Sequence, residues 1–271
     1  MGNDLNSLEL ARKMRISAVK MVHEARASHI ASALSIVDIL AVLYGRVMNI
    51  SPALKCSRTR DRLILSKGHA CVALYAVLAE LEIIPKTQLA TYGQDFSWLM
   101  SHVSHKVPGV EFSTGSLGHG LPFGVGKALA GKSLAQDWKT FVILSDGEMD
   151  EGSNWEAFMF AAHHKLHNLI AIIDYNKLQS LGPVAETIGL EPLADKLNAF
   201  GWCVHEVDGH NHDEIYAALV AERTIKPTIV IAHTIKGKGV DYMENKVEWH
   251  YKNPNDQQLQ DALNQLGDMG A

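Results

Sequence analysis

The sequence predicts an α/β fold: an open, mostly parallel sheet with helices on both faces. Three observations point there. From Thr140 onward, short apolar runs alternate with helix-length segments, the order that builds a parallel sheet through right-handed crossovers. The runs are continuous rather than alternating, as strands are when helices cover both faces. Two of them break into Asp146 and Asn176, at the carboxyl ends of strands, where open sheets bind ligands.

Ahead of the sheet the chain reads as helical. Leu8, Ala11, Met14, Ile16, Val19 and Val22 give residues 5–27 a helical period, and residues 35–47 repeat it. Residues 62–66 are a short apolar run that stops at Lys67-Gly68-His69, and a helix over 70–81 follows. Residues 84–118 carry Pro85, Gly93, Pro108, Gly109, Gly115 and Gly118 and read as irregular. A helix is expected over 121–135. Strands are then expected at 140–145, 169–174, 202–207 and 228–233, with helices at 152–166, 193–200 and 213–224 between them. A final helix is expected over 255–270. The expectation is one domain over residues 1–271, with a helical N-terminal layer over 1–60.

Composition bounds the rest. The chain has 271 residues, 47% hydrophobic and 20% charged, enough for a well-buried core. A net charge of −5 gives no basic footprint for nucleic acid. Cys56, Cys71 and Cys203 are far apart and odd in number, which fits reduced thiols better than disulfides or a zinc site. The first residues lack an apolar signal core, and no apolar run approaches the roughly 18 residues of a membrane span. A soluble, cytoplasmic protein that engages no membrane is the expectation.

Asp146 and Asn176 lie thirty residues apart, the length of one βαβ unit, so their side chains can converge. Asp-Gly and Asn after strands are common turn residues, and either alone means little. Together they offer a carboxylate and an amide oxygen, hard ligands of the kind magnesium takes beside phosphate and water oxygens. Gly147 lets the backbone approach a phosphate, and the next helix offers free N–H groups. Glu148, Asp150 and Glu151 sit where a helix start favours anions. Trp155, Phe158, Ala162 and Leu166 recur at helical spacing and read as core. His163 and His164, in the same helix, carry no assigned chemistry.

The segment from Ser145 to Asn176 resembles the thiamine diphosphate motif, GDG, a βαβ-length spacer, then N. More closely it is similar to transketolase, whose version reads GDGE-x-x-EGS-x-WEA…AAHHKL-x-NL…D-x-N. Ser145 replaces the first Gly, a place that needs only a small side chain. The resemblance implies that Asp146, Asn176 and the Leu178 carbonyl bind magnesium, or calcium or manganese in its stead. It also implies that Gly147 touches the diphosphate and that Glu151 lies at a dimer interface.

Other stretches extend the resemblance over nearly the whole chain. Residues 27–32, Ala-Ser-His-Ile-Ala-Ser, resemble the SGHPGGS-type segment, which makes His29 the match to a catalytic histidine and Ser32 to a serine at the substrate. Ile30 and Ala31 stand for Pro and Gly, so a less kinked loop is expected. Leu65 to Ala70 match LSKGHA, which would aim His69 at the diphosphate end. His102 and His105 both fall near the family's HP…PGVE, and His102 is favoured for the substrate side. Residues 113–120 resemble STGSLGQG, with His119 for Gln; Gly115, Ser116 and Leu117 are the backbone candidates for the cofactor. Thr234 to Gly239 resemble T-x-KGKG, with Lys236 as a cofactor-loop lysine and Lys238 equally readable as a solvated turn. Trp249-His250-Tyr251 match WHG, with His250 reaching diphosphate and substrate.

The activity so implied is transfer of a two-carbon ketol unit from a ketose or ketose phosphate to an aldose, with thiamine diphosphate as electron sink. His29, His69, His102 and His250 would handle protons near neutral pH. The family's activating glutamate belongs to a second domain, and this length leaves no room for one. The expectation is therefore the N-terminal subunit of a split transketolase, active in an α2β2 assembly with a chain carrying the pyrimidine and C-terminal domains. Rival expectations are the α subunit of the first component of a 2-oxo acid dehydrogenase, or a non-catalytic protein on the same fold.

Overall fold

The computed structural model describes residues 6–54, 57–221 and 225–267. Cys56 and Leu5 lie outside these, as do Thr224 and residues 268–270; among the described residues the helices expected over 213–224 and 255–270 already end at Val220 and Gln265.

Among the described residues five strands form one sheet: β1 (Arg62–Leu65), β2 (Thr140–Ser145), β3 (Leu169–Tyr175), β4 (Cys203–Asp208) and β5 (Thr228–His233). Their order is β1-β2-β3-β5-β4, and every pairing is parallel. Side chains alternate between faces along a strand, and both faces here are apolar. Phe141 and Ile143 of β2 join one core with Ile170 and Ile172 of β3; Val142 and Leu144 join the other with Ala171 and Ile173. That explains the unbroken apolar runs, each of whose buried large side chains contributes roughly 1.5–3 kcal/mol.

The first face is covered by α1 (Ser7–Ala25), α2 (Ile30–Leu34), α3 (Val37–Val42) and α4 (Cys71–Glu80), the second by α5 (Gly120–Ser133), α6 (Gly152–His163) and α8 (Leu193–Ala199). The short α7 (Val184–Thr187) precedes α8, while α9 (His212–Val220) and α10 (Asp256–Gln265) complete the first face. Among the described residues no helix is long and apolar enough to cross a membrane. Asn6 starts α1 by accepting the Leu8 and Glu9 amides, and Asn255 starts α10 through a capping box with Gln258, each satisfying otherwise unpaired amides.

Three expectations need correction. Residues 35–47 are not one helix. Ser35 turns its hydroxyl onto the Ser32 carbonyl and Asp174, α3 starts only at Val37, and a π-helical turn spans Leu43–Val47; local bonding by serine competes with helix continuation. Strand β4 is an edge strand, and its residues 203–206 are partly or fully exposed rather than buried on both sides. Helix α6 stops at His163, not Leu166, because Lys165 adopts a left-handed backbone (φ 50°).

The β1–α4 turn shows why a glycine stands at 68. The chain crossing over it bonds through the Thr114 hydroxyl to the Leu65 carbonyl at 2.5 Å and through the Val103 amide to the Gly68 carbonyl at 3.2 Å. A Cβ on Gly68 would lie 2.6 Å from the Thr114 carbonyl carbon. Gly68→Ala is expected to cost about 1–3 kcal/mol of stability through overpacking, read as a lower urea midpoint; an unchanged midpoint would contradict this crossing.

Candidate active site

Strands β2 and β3 are neighbours, with Ser145 opposite Asp174, so the residues just beyond them share one corner. Asp146 accepts the Gly147 amide at 2.7 Å and the Lys177 amide at 2.5 Å. Asn176 donates to Asp174 at 3.0 Å and accepts the Leu178 amide at 3.0 Å. Asp146 is thus bonded to the peptide that directly follows Asn176. The Leu178 and Gln179 carbonyls each accept the Lys236 ammonium at 2.9 Å.

Under this corner lies a charge pair to which the motifs assign no role. Lys67 and Asp174 are both essentially inaccessible and in direct contact. Asp174 also accepts from Ser35 at 2.6 Å and from the Thr234 hydroxyl, while Lys67 donates to the Ser32 carbonyl at 3.1 Å. Burial alone would push the Asp174 carboxyl up, but the Lys67 ammonium and the two hydroxyls hold it below its usual range. A clue was present in the sequence. Two polar residues, Asp174 at the end of an apolar run and Lys67 just past another, need partners when buried.

Above the corner opens a cleft of about 260 Å³. Four histidines from distant segments meet in it. The His29 ring lies 5.3 Å from His69, 5.6 Å from His102 and 5.0 Å from His250, and His69 lies 5.5 Å from His250. His29 itself takes a left-handed backbone (φ 73°), with its amide bonded to the His250 carbonyl at 2.8 Å. The kink therefore sits at the histidine, and Ile30 starts α2 directly. Such backbone in a non-glycine residue costs energy and gathers at functional sites. Ser32 lies 3.4 Å from His250 Nδ1.

Burial first, then the nearby cations, push these imidazoles down: His29 to about 4 and His250 to about 3. Burial also lowers His102, and burial with the Lys67 charge lowers His69 well below its usual value. At neutral pH the cleft holds neutral imidazoles. Below pH 6.5 the unfolded chain binds protons that folded His29 and His250 refuse. Stability is therefore expected to be retained above about pH 6.5 and to fall as the pH drops toward 4. Urea midpoints across this range test it, and the slope is expected to be shallower in a His29→Phe, His250→Phe variant.

Whether these residues suit a metal-bound diphosphate can be judged from the corner itself. Asp146 is 1% exposed, and burial together with the Asp174 charge pushes its carboxyl up to about 7; the two amides that bond it are both backbone groups. A cation there would relieve it. The Lys236 ammonium already stands as a cation on the Leu178 carbonyl. Among the described residues no three His, Cys, Asp or Glu side chains group as metal ligands, so an ion here would draw on amide and carbonyl oxygens, a set for a hard ion. Lys67 and Lys236, both buried, supply positive charge for a diphosphate. The residues fit.

The family profile described as transketolase, thiamine diphosphate binding domain, matches residues 7–269. The chain belongs to this transketolase family. It is 40% identical over 267 residues to one subunit of the apulose-4-phosphate transketolase of Phocaeicola vulgatus, covering 97% of this chain and 95% of that one. It is 42% identical over 246 residues to a 6-deoxy-6-sulfo-D-fructose transketolase subunit of a Clostridium species, covering 90% of each. The solved transketolase of Campylobacter jejuni superposes with a TM-score of 0.89 at 31% identity, over 96% of this chain and 42% of that one. The chain therefore spans less than half the length of that structure.

Transketolase-like positions sort clearly on the structure. His29, Ser32, His69, His102, His250 and Lys236 all line the cleft, as do Gly115, Leu117, Asp146, Gly147, Asn176 and Leu178. Gly115 packs against His102, whose ring carbon would lie 2.8 Å from an added Cβ. Ser116 is exposed and its side chain does not line the cleft, although Gly115 and Leu117 on either side of it do. His105 is exposed and bonds Ser113 at 2.8 Å, leaving His102 as the inward one. Lys238 is half-buried, 3.9 Å from Glu244, and not a cleft residue. Glu148 is not a surface anion at a helix start. It is fully buried, on a separate 3-10 turn (Gly147–Asp150), and accepts from Ser66 and from the Gly118 and Ser145 amides. It thereby ties three loops of the site together. Tyr251 lines the mouth and is exposed, while His119 is exposed outside it.

Proposed function

We propose that this chain is the thiamine diphosphate-binding, N-terminal subunit of a split transketolase, which moves a two-carbon ketol unit from a ketose phosphate to an aldose. The observation that carries this is the meeting of four histidines above the Asp146–Asn176 corner in a single cleft. Relatives named as single subunits of a transketolase match along nearly their whole length, which supports a partner chain. That partner would carry the pyrimidine and C-terminal domains in an α2β2 assembly, and this chain would be one domain over residues 1–271. Thiols free at Cys71 and Cys203 suit the cytoplasm.

Bound thiamine diphosphate supplies the carbon nucleophile and electron sink. Asp146, the Asn176 amide oxygen and the Leu178 carbonyl would hold Mg²⁺, with Ca²⁺ or Mn²⁺ as alternatives. Lys67 anchors Asp174, which fixes the Asn176 amide nitrogen and so would leave the Asn176 oxygen as the atom offered to an ion. Gly147, Lys236, His69 and His250 would hold the diphosphate side, and the backbone of 115–117 would flank the ring. His29, Ser32 and His102 face the sugar. A neutral imidazole can take the proton of a donor hydroxyl and return it to the acceptor.

The test is ketol transfer by the purified chain with and without a pyrimidine-domain partner, thiamine diphosphate and Mg²⁺. Transfer is expected only with all components. Robust transfer by the chain alone would overturn the split assembly, and 2-oxo acid decarboxylation in place of transfer would overturn the transketolase reading.

A further inference from the structure

Behind the cleft, on the far side of the loop that carries Lys236, a second charged cluster is buried. Asp38 of α3 is 5% exposed. Its carboxylate takes both terminal nitrogens of Arg15 from α1, at 3.0 and 2.5 Å. It also takes His210 Nδ1 at 2.7 Å and His212 Nε2 at 3.0 Å. Burial alone would push this carboxyl up, but the two histidines and Arg15 hold it far below its ordinary range.

A plain staple between helices would end there, yet two members reach on to the loop. His210 Nε2 accepts the Ile235 amide at 2.8 Å, and Arg15 Nε donates to the Lys238 carbonyl at 3.2 Å. Because Nε2 accepts, the ring carries its proton on Nδ1 and donates it to Asp38. The cluster therefore holds the backbone on both sides of Lys236. That matters because a lysine stem is long and freely rotating, so the place its ammonium can reach depends on where the backbone is held. Here it reaches the Leu178 and Gln179 carbonyls.

We propose that Arg15, Asp38 and His210 form a clamp that positions Lys236 from behind and so sets the cleft's grip on the diphosphate end without touching it. This rests on the reading of Lys236 as a cofactor-side residue. The three are positioning residues. The loop has other anchors, the Gly237 amide on the Ala31 carbonyl and the Asn245 amide on the Lys236 carbonyl, both at 2.9 Å. Loss of His210 therefore loosens the loop and does not free it.

Two variants of the full chain test this. His210→Phe removes both bonds. His210→Gln carries an amide oxygen and nitrogen spaced much like the two ring nitrogens, able to accept Ile235 and donate to Asp38. Amide hydrogen exchange is read over residues 235–240 and, as control, over β5. In His210→Phe the loop is expected to exchange up to about tenfold faster, the size of one lost hydrogen bond, with β5 unchanged. His210→Gln is expected to restore most of the protection. Calorimetric titration with thiamine diphosphate and Mg²⁺, with the pyrimidine-domain partner present, is expected to give a Kd raised about tenfold in His210→Phe and largely recovered in His210→Gln.

An equal rise in β5 and the loop would reduce the cluster to a general staple and overturn the clamp. A loosened loop with unchanged affinity would overturn its link to Lys236. If the unaltered chain fails to bind the cofactor even with a pyrimidine-domain partner present, the functional reading fails, while the exchange data still decide whether the cluster holds the loop. Should His210→Phe not fold, Arg15→Lys keeps a charge beside Asp38 and drops the bond to Lys238. The same confined loosening is expected of it, and its absence overturns the clamp.

Discussion

Replacing Asp146 with asparagine is expected to weaken divalent-ion-dependent cofactor binding by at least about 100-fold, since even partners of metal ligands are worth 10–100-fold. Without the ion, the same change is expected to make the protein more stable. Asp146 is a buried carboxyl pushed up to about 7 by burial and by Asp174. Keeping it charged in the folded state works against folding from about pH 4 upward, and the cost levels off above about pH 7. At pH 8 the ion-free Asp146→Asn variant should therefore melt at a higher temperature than the ion-free unaltered chain, and the two should converge toward pH 4. Cofactor binding retained would mean that this carboxylate does not hold the ion, and stability lost at pH 8 would mean that it is not a strained buried charge.

The second large effect is expected at Lys67 and Asp174. Each is buried with the other as its main counter-charge. Removing one leaves the other stranded, a loss of about 3–5 kcal/mol. Lys67→Met and Asp174→Leu are each expected to shift denaturation midpoints by that much. The double variant should lose clearly less than the sum, because no charge is left unpaired. Additive losses would mean that the two residues act independently. Cofactor binding is expected to suffer in all three, since Asp174 is the group that holds the Asn176 amide nitrogen.

Much of this was legible in the sequence, and the gaps have physical causes. Strands β2 and β5 lie at 140–145 and 228–233 as read, because runs buried on both faces are apolar without interruption. The reading of β4 as equally buried failed, since edge position is set by topology and not by local composition. The break at Ser35 was hidden for a related reason: its partner Asp174 is 139 residues away. Motif residues at the cleft could be named, but Lys67 could not be told from a surface lysine until its partner was seen. The Asp38 cluster left no trace as a unit, for Arg15, Asp38 and His210 fall on three separate elements.

The rings meeting around His29 come from positions 29 and 250 at the extremes, 250 − 29 = 221 residues apart. A binding place gathered from such remote parts of the chain cannot exist in a half-folded intermediate. Vitamin-derived ligand would then reward only completed molecules, adding about 2.7 kcal/mol at a hundredfold excess over Kd. Supply of that ligand in the cell would thus govern how much of the chain survives proteolysis as well as how fast it works.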